Sequence, residues 1–282
     1  TAEKIKQILD SNKSSNINFE VISNPEFLAE GTAIDDLFKS DRVLIGGDQT
    51  ESGQRAVSLL FEIYTKWIPK EKIITTNVWS SELSKLVSNA MLAQRISSIN
   101  SISALCEKTG ADIEEVSKVT GMDSRIGEKF LKSSIGFGGS CFKKDILNLV
   151  YISRYYGLHE VADYWESVVK INSFQTERIG DEIINILEPQ CSKRTVTILG
   201  WAFKKDTNDS RESASIYLAY RLLTNNINLH VYDPMVKESL IKKDLTDLFK
   251  NNKKDNHEIK ILLSKVKVYN NPYDSVLNSN II

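Results

Sequence analysis

Apolar residues fall along this chain in two alternating rhythms, and the switches between them mark out its elements. In residues 1–9, Ile5, Ile8 and Leu9 are spaced for one face of a helix. Asn18 to Ile22 then reads as a strand, Asn24 to Gly31 as a loop entering a short helix, and Arg42 to Ile45 as a strand stopped by Gly46 and Gly47. Residues 52–66 predict an amphipathic helix, and 72–75 a third strand. Strands alternating with helices call for a parallel sheet with crossover connections.

From residue 80 to Gly110 the rhythm is helical without a break, long enough for a rod of about 45 Å. Its apolar residues, among them Leu83, Leu86, Met91, Ile99 and Leu105, cover more than one face, so it is expected to be buried on several sides. Ser97, Ser98, Ser101 and Ser103 keep one stretch narrow, which would let a second copy of the helix approach. A shorter helix follows over 112–121, and a second long one runs from Val161 to Leu187. The proline-containing joint Glu188 to Ser192 reads as a domain boundary. Beyond it come a buried strand over 194–201, a helix from Ser213 to Leu223 and a strand from Asn228 to Asp233, a β-α-β order of Rossmann type. The expected fold is therefore α/β, with two Rossmann-like domains, the first only partly present, joined by a central long-helix domain. Residues 1–76, 77–188 and 189–282 are the three parts.

The chemistry concentrates between the two long helices. In Gly136-Phe137-Gly138-Gly139-Ser140-Cys141-Phe142-Lys143-Lys144-Asp145, three glycines in four residues allow tight turns and close ligand approach. The apolar run after Cys141 sets the sulfur at a helix N-terminus, where the dipole, Lys143 and Lys144 favour the thiolate, with Asp145 one turn on. A buried structural cysteine would not call for this convergence, so Cys141 is the candidate nucleophile. Glu26 and Glu30 are four apart and would share a face of a helical turn, either as surface charge or as an acid/base pair. Lys85 and Asn89 also share a face, on a helix buried enough that the lysine is expected to await a ligand's charge. After Gly200, Lys204 and Lys205 stand where a phosphate turn would be. This suits a nucleotide diphosphate held by side-chain charge, or is an ordinary surface loop. No complete G-x-G-x-x-G occurs.

Composition narrows the classes without adding to this list. A hydrophobic content of 41% and a charged content of 26% are those of an ordinary globular protein, and a net charge of −1 implies no nucleic-acid partner. Cys106, Cys141 and Cys191 show no metal-ligand spacing, and no apolar run spans a membrane. The reducing cytoplasm is the expected compartment. The chain opens in mid-helix and closes on Asn280-Ile281-Ile282 as if entering a strand, so it is expected to be truncated at both ends.

The segments Asn24 to Ala33, Ser81 to Asn89, Gly136 to Asp145 and Gly200 to Glu212, in that order, resemble the nucleotide-sugar dehydrogenase superfamily, and within it the eukaryotic UDP-glucose dehydrogenases. The resemblance implies oxidation of the C6 alcohol of UDP-glucose to the carboxylate of UDP-glucuronate in two NAD-dependent hydride transfers, through a thiohemiacetal and a thioester on Cys141. It casts Lys85 and Asn89 as oxyanion donors, Asp145 as a carboxylate assisting proton transfer, and Glu26 as the residue of thioester hydrolysis. Phe27, Leu28, Ala29, Glu30, Lys132, Ile135, Gly136, Phe137, Gly138, Phe203 and Lys204 match substrate contacts. Arg125 matches an arginine reaching a neighbouring subunit's site. Glu30, Ser140, Cys141 and Arg211 match cofactor contacts. A homodimer is implied, or a hexamer made of three such dimers, and the chain by itself is expected to dimerise without turning over. The alternatives are a GDP-mannose type of nucleotide-sugar dehydrogenase and a non-catalytic UDP-sugar-binding or assembly module.

Overall fold

A computed structural model describes residues 2–14, 17–187 and 194–282. The predicted joint at 188–192, with Cys191, lies outside the described residues. The chain packs as two compact units, Thr1–Asn89 and Ala90–Ile282, the cut falling inside the first long helix.

The first unit runs through α1 (Ala2–Asn12), α2 (Ala33–Phe38), β1 (Val43–Gly46), α3 (Glu51–Tyr64), a 3₁₀ turn (Lys70–Lys72) and β2 (Ile73–Thr76) into α4 (Val78–Thr109). As the alternation predicted, β1 and β2 are parallel, Val43 opposite Ile73 and Gly46 opposite Thr76. Helix α3 starts where the Thr50 side chain accepts from Gly53 N, satisfying an otherwise orphaned donor. It buries Val57 with Val43, Ile45, Ile68 and Ile73.

Two expectations fail here. Residues 18–22 form no strand: only Ser23 pairs, exchanging backbone bonds of 2.8 and 2.7 Å with Gly46. Ile22 is the residue of that run that packs on the core, too little burial to hold a ladder. Glu26 and Glu30 do not share a helical face either, because the helix begins at Ala33. Glu26 Oε2 accepts from Leu28 N at 2.6 Å, a local bond that competes with helix formation.

The second unit holds the rest of α4, then α5 (Ile113–Gly121), α6 (Phe142–Tyr155), α7 (His159–Leu187), β3 (Thr195–Leu199), α8 (Ala214–Thr224), β4 (Asn228–Tyr232), α9 (Glu238–Asn251), α10 (Asn256–Leu263), β5 (Val266–Tyr269) and α11 (Pro272–Val276). Side-chain caps from Asp112, Ser213 and Asp255 start α5, α8 and α10. The parallel sheet has the order β3-β4-β5 and is one strand wider than the β-α-β unit read from the sequence. Trp201, Leu222, Leu223, Ile227, Leu229, Ile241, Leu245 and Phe249 are buried almost completely around it, each aliphatic side chain contributing about 1.5–3 kcal/mol.

On α4, Ala90 and Ala93 are fully buried in a cluster with Ile146 and Val150 of α6 and Ala162 and Val168 of α7. The serine stretch serves this packing. Ser97 Oγ donates to Val168 O at 2.8 Å, and Ser103 Oγ lies 3.4 Å from Gln175 Nε2, so these two serines admit α7. Burial on several sides is not reached: Leu83, Met91, Ile102 and Leu105 remain exposed.

Candidate functional site

The glycine loop takes its shape from polar residues projecting from its neighbours. Ser134 N donates to Asn100 Oδ1 of α4 at 2.8 Å, and Ser134 O accepts from Gln175 Nε2 of α7 at 2.8 Å. Thr176 Oγ1 donates to Ile135 O at 2.8 Å, and the Asn172 amide brackets Phe137 by accepting from its N at 2.8 Å and donating to its O at 3.0 Å. Beyond Phe137 the loop docks on residues 203–213. Gly139 N donates to Arg211 O at 2.9 Å, a Cβ on Gly138 would stand 2.5 Å from Glu212 O, and one on Gly139 2.9 Å from the Phe203 ring. Here the glycines provide close approach.

This docking presents Cys141, exposed, as the N-cap of α6, with Sγ 3.6 Å from Ser140 Oγ. Asp145 is buried one turn on, its N bonded to Cys141 O at 2.9 Å. The lysines do not act as expected on the sulfur. Lys143 Nζ donates to Glu212 Oε2 at 2.8 Å, and Lys144 Nζ lies 3.7 Å from Asp145 Oδ1. Burial pulls Lys143 down, but the Glu212 bond and Tyr217 outweigh it and hold the amine above its ordinary range. Burial likewise pushes Glu212 up, and the bonds from Lys143 and Tyr217 bring it below the usual carboxylate value.

At the carboxyl ends of β3 and β4 lies a cleft of about 900 Å³. Ile135, Gly136, Phe203, Lys204 and Lys205 line it, joined by Ser213, Ser215, Tyr232 and Asp233, which the sequence did not single out as contacts. Its floor is fixed by Asp233. Oδ2 accepts from Trp201 N and Ala202 N at 2.6 and 3.0 Å, and Oδ1 from Met235 N and Val236 N at 2.7 and 2.8 Å. Burial raises this carboxyl, but the four amides outweigh it and hold the pKa below the ordinary aspartate value.

The remaining expected residues are placed as follows. Phe137 has its ring in the core against Phe142 at 5.8 Å between centroids, and both its backbone groups are engaged by Asn172. Gly138 lines a separate cavity of about 290 Å³. Lys132 is exposed, and Arg125 is exposed with its fork on Asp123, whose carboxyl that bond holds low. Arg211 is gripped by Asp209 at 2.7–3.0 Å with much of its side chain open. Asn172, Gln175 and Thr176 were missed; polar residues at i, i+3 and i+4 on a helix face that must be buried were the available signal.

In the first unit, Lys85 has its ligand within the protein. Nζ lies 3.2 Å from Glu26 Oε1 and 5.4 Å from the Phe27 ring, which also receives the Arg42 guanidinium at 4.0 Å. Leu28 N is held by Glu26 and Ala29 N by Asp36 Oδ2 at 2.8 Å. Glu30 is exposed just ahead of α2, and Asn89 is half-buried on α4 four residues after Lys85.

Parallel strands with a lysine-bearing cleft at their carboxyl ends, and beside it a docked glycine loop that leads to an exposed cysteine, have the form of a nucleotide-binding α/β protein with a thiol. Residues 1–68, 79–174 and 197–282 match, in turn, models of the NAD binding, central and UDP binding domains of the UDP-glucose/GDP-mannose dehydrogenase family. The chain belongs to that family. It is 59% identical over 245 residues to the UDP-glucose 6-dehydrogenase of Rattus norvegicus, covering 87% of this chain and 50% of the relative. It is 56% identical to UDP-glucose 6-dehydrogenase 3 of Oryza sativa, covering 87% and 51%. The chain thus spans about half the length of the curated relatives it matches. Among solved structures, a UDP-glucose dehydrogenase from Pyrobaculum islandicum aligns with a TM-score of 0.79 at 29% identity, over 96% of this chain and 57% of that one. Among the described residues no helix is long and apolar enough to cross a membrane.

Proposed function

We propose that this chain carries the substrate cleft and the nucleophile of an NAD-dependent oxidation of UDP-glucose to UDP-glucuronate. The observation that carries the reading is the docking of the Cys141 loop on the 203–213 loop, so that one backbone wall serves both sulfur and cleft. Lys204 and Lys205 provide positive charge for a diphosphate, and Ile135, Phe203 and Tyr232 the apolar surface beside it. Cys141 Sγ adds to the C6 aldehyde to give a thiohemiacetal, and after the second oxidation water cleaves the thioester, returning the thiolate. Lys85 and Asn89 stabilise the oxyanion, each donor worth about 3 kcal/mol in the transition state. Glu26 accepts the proton of the attacking water, a role that requires it to leave its pairing with Lys85. Asp145 assists proton transfer beside the sulfur. Glu30, Ser140 and Arg211 would hold NAD, and two molecules of it, bound in turn, would each accept one hydride.

Residues 1–76, 77–188 and 189–282 are proposed as the cofactor-side, helical and UDP-side parts. The exposed Leu83, Met91, Ile102 and Leu105 of α4 are proposed to pair two copies of the chain. Light scattering at twice the chain mass is expected, and a monomer at micromolar concentration would refute that pairing. The GDP-mannose alternative is disfavoured by the identity to UDP-glucose enzymes. The test of the cleft is calorimetric titration with UDP. Saturable binding is expected, abolished by Lys204→Glu; absence of binding to the unaltered chain would overturn the reading.

A further inference from the structure

Lys143 stands two residues beyond Cys141, in the first turn of α6, and none of the catalytic roles above uses it. Its ammonium lies 2.8 Å from Glu212 Oε2 and 3.5 Å from Tyr217 Oη, and the Tyr217 hydroxyl donates to the same carboxylate oxygen at 2.6 Å. Lys143 and Glu212 are partly buried and Tyr217 is exposed, and all three line the cavity of about 290 Å³ that Gly138 and Gly139 also line. Glu212 has a left-handed backbone, φ 54°. A side chain in that region is strained and persists only where its surroundings hold it. Here it is held from both sides. Gly138 fits beneath its carbonyl, and Arg211 O just before it accepts from Gly139 N at 2.9 Å. The same loop turns back through Phe203 N on Asp209 O at 3.0 Å, and its Phe203 and Lys204 wall the cleft. One continuous strip therefore runs from the cleft through Phe203, Gly139 and Glu212 to Lys143 and the start of α6.

We infer that Lys143, Glu212 and Tyr217 form a latch through which a nucleoside diphosphate in the cleft sets the position of the Cys141 sulfur. Neither Lys143 nor Glu212 lines the cleft, so both are positioning residues. A ligand pressed on Phe203 and Lys204 restrains the 203–213 loop, and the ion pair, with the Gly139–Arg211 bond, carries that restraint to the helix end bearing the thiol. Lys144, one residue on, is engaged by Asp145 and belongs to no such path. The inference rests on the reading of the cleft as a nucleotide site, and the test separates the two.

The rate at which iodoacetamide alkylates the Cys141 peptide, followed by mass spectrometry, is measured with and without saturating UDP. UDP binding is measured in parallel by calorimetry. In the unaltered chain UDP is expected to change the rate by at least about fivefold, the lower end of ordinary site-to-site coupling. In Lys143→Met and in the isosteric Glu212→Gln, UDP should still bind, within about threefold of its original Kd, while its effect on alkylation falls below about twofold. Lys143→Arg, which keeps the charge, should restore the response. A full response in both Lys143→Met and Glu212→Gln overturns the latch. UDP that binds the unaltered chain but leaves its alkylation rate unchanged also overturns it, with the nucleotide cleft left standing. If UDP does not bind the unaltered chain, the cleft reading fails and the coupling with it.

Discussion

The two loops that carry the candidate chemistry, residues 24–32 with Glu26 and residues 133–141 with Cys141, are held in opposite ways. The glutamate loop is fastened by side chains at its margin: Tyr64 OH to Asn24 Oδ1 at 2.7 Å, Ala29 N to Asp36, and Lys85 to Glu26. Those bonds are exposed, and the carboxylate proposed for hydrolysis is itself one of the fasteners. The cysteine loop is fastened through its backbone, by Asn100, Asn172, Gln175 and Thr176 on one side and by the 203–213 wall on the other, while its sulfur is left out of the scaffold. The difference fits the tasks proposed for them. A nucleophile benefits from fixed geometry, whereas a group that must accept a proton and release a lysine needs a loop that yields.

The comparison breaks most sharply at the chemical step. In a chain carrying the remaining length of its relatives, Cys141→Ser should lower UDP-glucuronate formation by at least about three orders of magnitude, since a serine hydroxyl is not ionised at neutral pH. Normal two-step turnover in that variant would remove Cys141 as nucleophile. In the chain as it stands, exposed Cys141 should alkylate well ahead of buried Cys106.

Glu26→Gln should slow thioester hydrolysis by about a hundredfold while sparing the oxidations, because an amide cannot take water's proton. The expected sign is a mass increase on the Cys141 peptide after UDP-glucose and NAD are added. If the NADH burst slows instead and no adduct builds up, Glu26 serves some other step.

On stability the order of the loops reverses the order of their exposure. Gly138→Ala places a methyl 2.5 Å from a backbone carbonyl that cannot swing away, so it should cost about 1–3 kcal/mol. Asp36→Ala frees Ala29 N and the Thr32 hydroxyl in an exposed turn where water replaces the lost bonds, for about 1 kcal/mol or less. Urea midpoints decide this. Equal losses would mean that the cysteine loop is no more rigidly held than the other.

What could be read from the sequence follows the same division. The elements marked by a local run of apolar residues or by helical spacing were legible: β1, α3, α4, α7, β3, α8 and β4. So was the place of Cys141 at the start of a helix, because a glycine cluster, a thiol and a following apolar run are all local. The strand expected at 18–22 was not, since an edge strand needs a partner ladder that composition does not reveal. The carboxylate pair at Glu26 and Glu30 was drawn onto a helix because spacing says nothing of a side chain that caps its own loop. The ion pair between Lys143 and Glu212 spans 69 positions and has no local signature, so the lysine was assigned to the nearest reactive group, Cys141.

A further, modest effect tests the layer beneath the cysteine loop. The 203–213 wall begins at Trp201 and Ala202, whose amides Asp233 holds, together with those of Met235 and Val236 across the ends of β3 and β4. Each carboxylate oxygen takes two N–H groups. An asparagine could satisfy one pair, but its own NH₂ would face the other pair as donor against donors. Because Asp233 is only partly buried, water softens the loss, and Asp233→Asn should cost about 1–2 kcal/mol near neutral pH, or about 2–6 °C in Tm. The folded-state pKa is depressed, so this contribution is complete above the unfolded value of about 3.9 and fades as pH falls through the lower folded value. The gap in Tm between the unaltered chain and Asp233→Asn should therefore hold from neutral pH to about 5 and close at lower pH. A gap of constant width down to acid denaturation would mean that the charge of Asp233 does not matter, and that the β3 and β4 ends are held by packing around Trp201 alone.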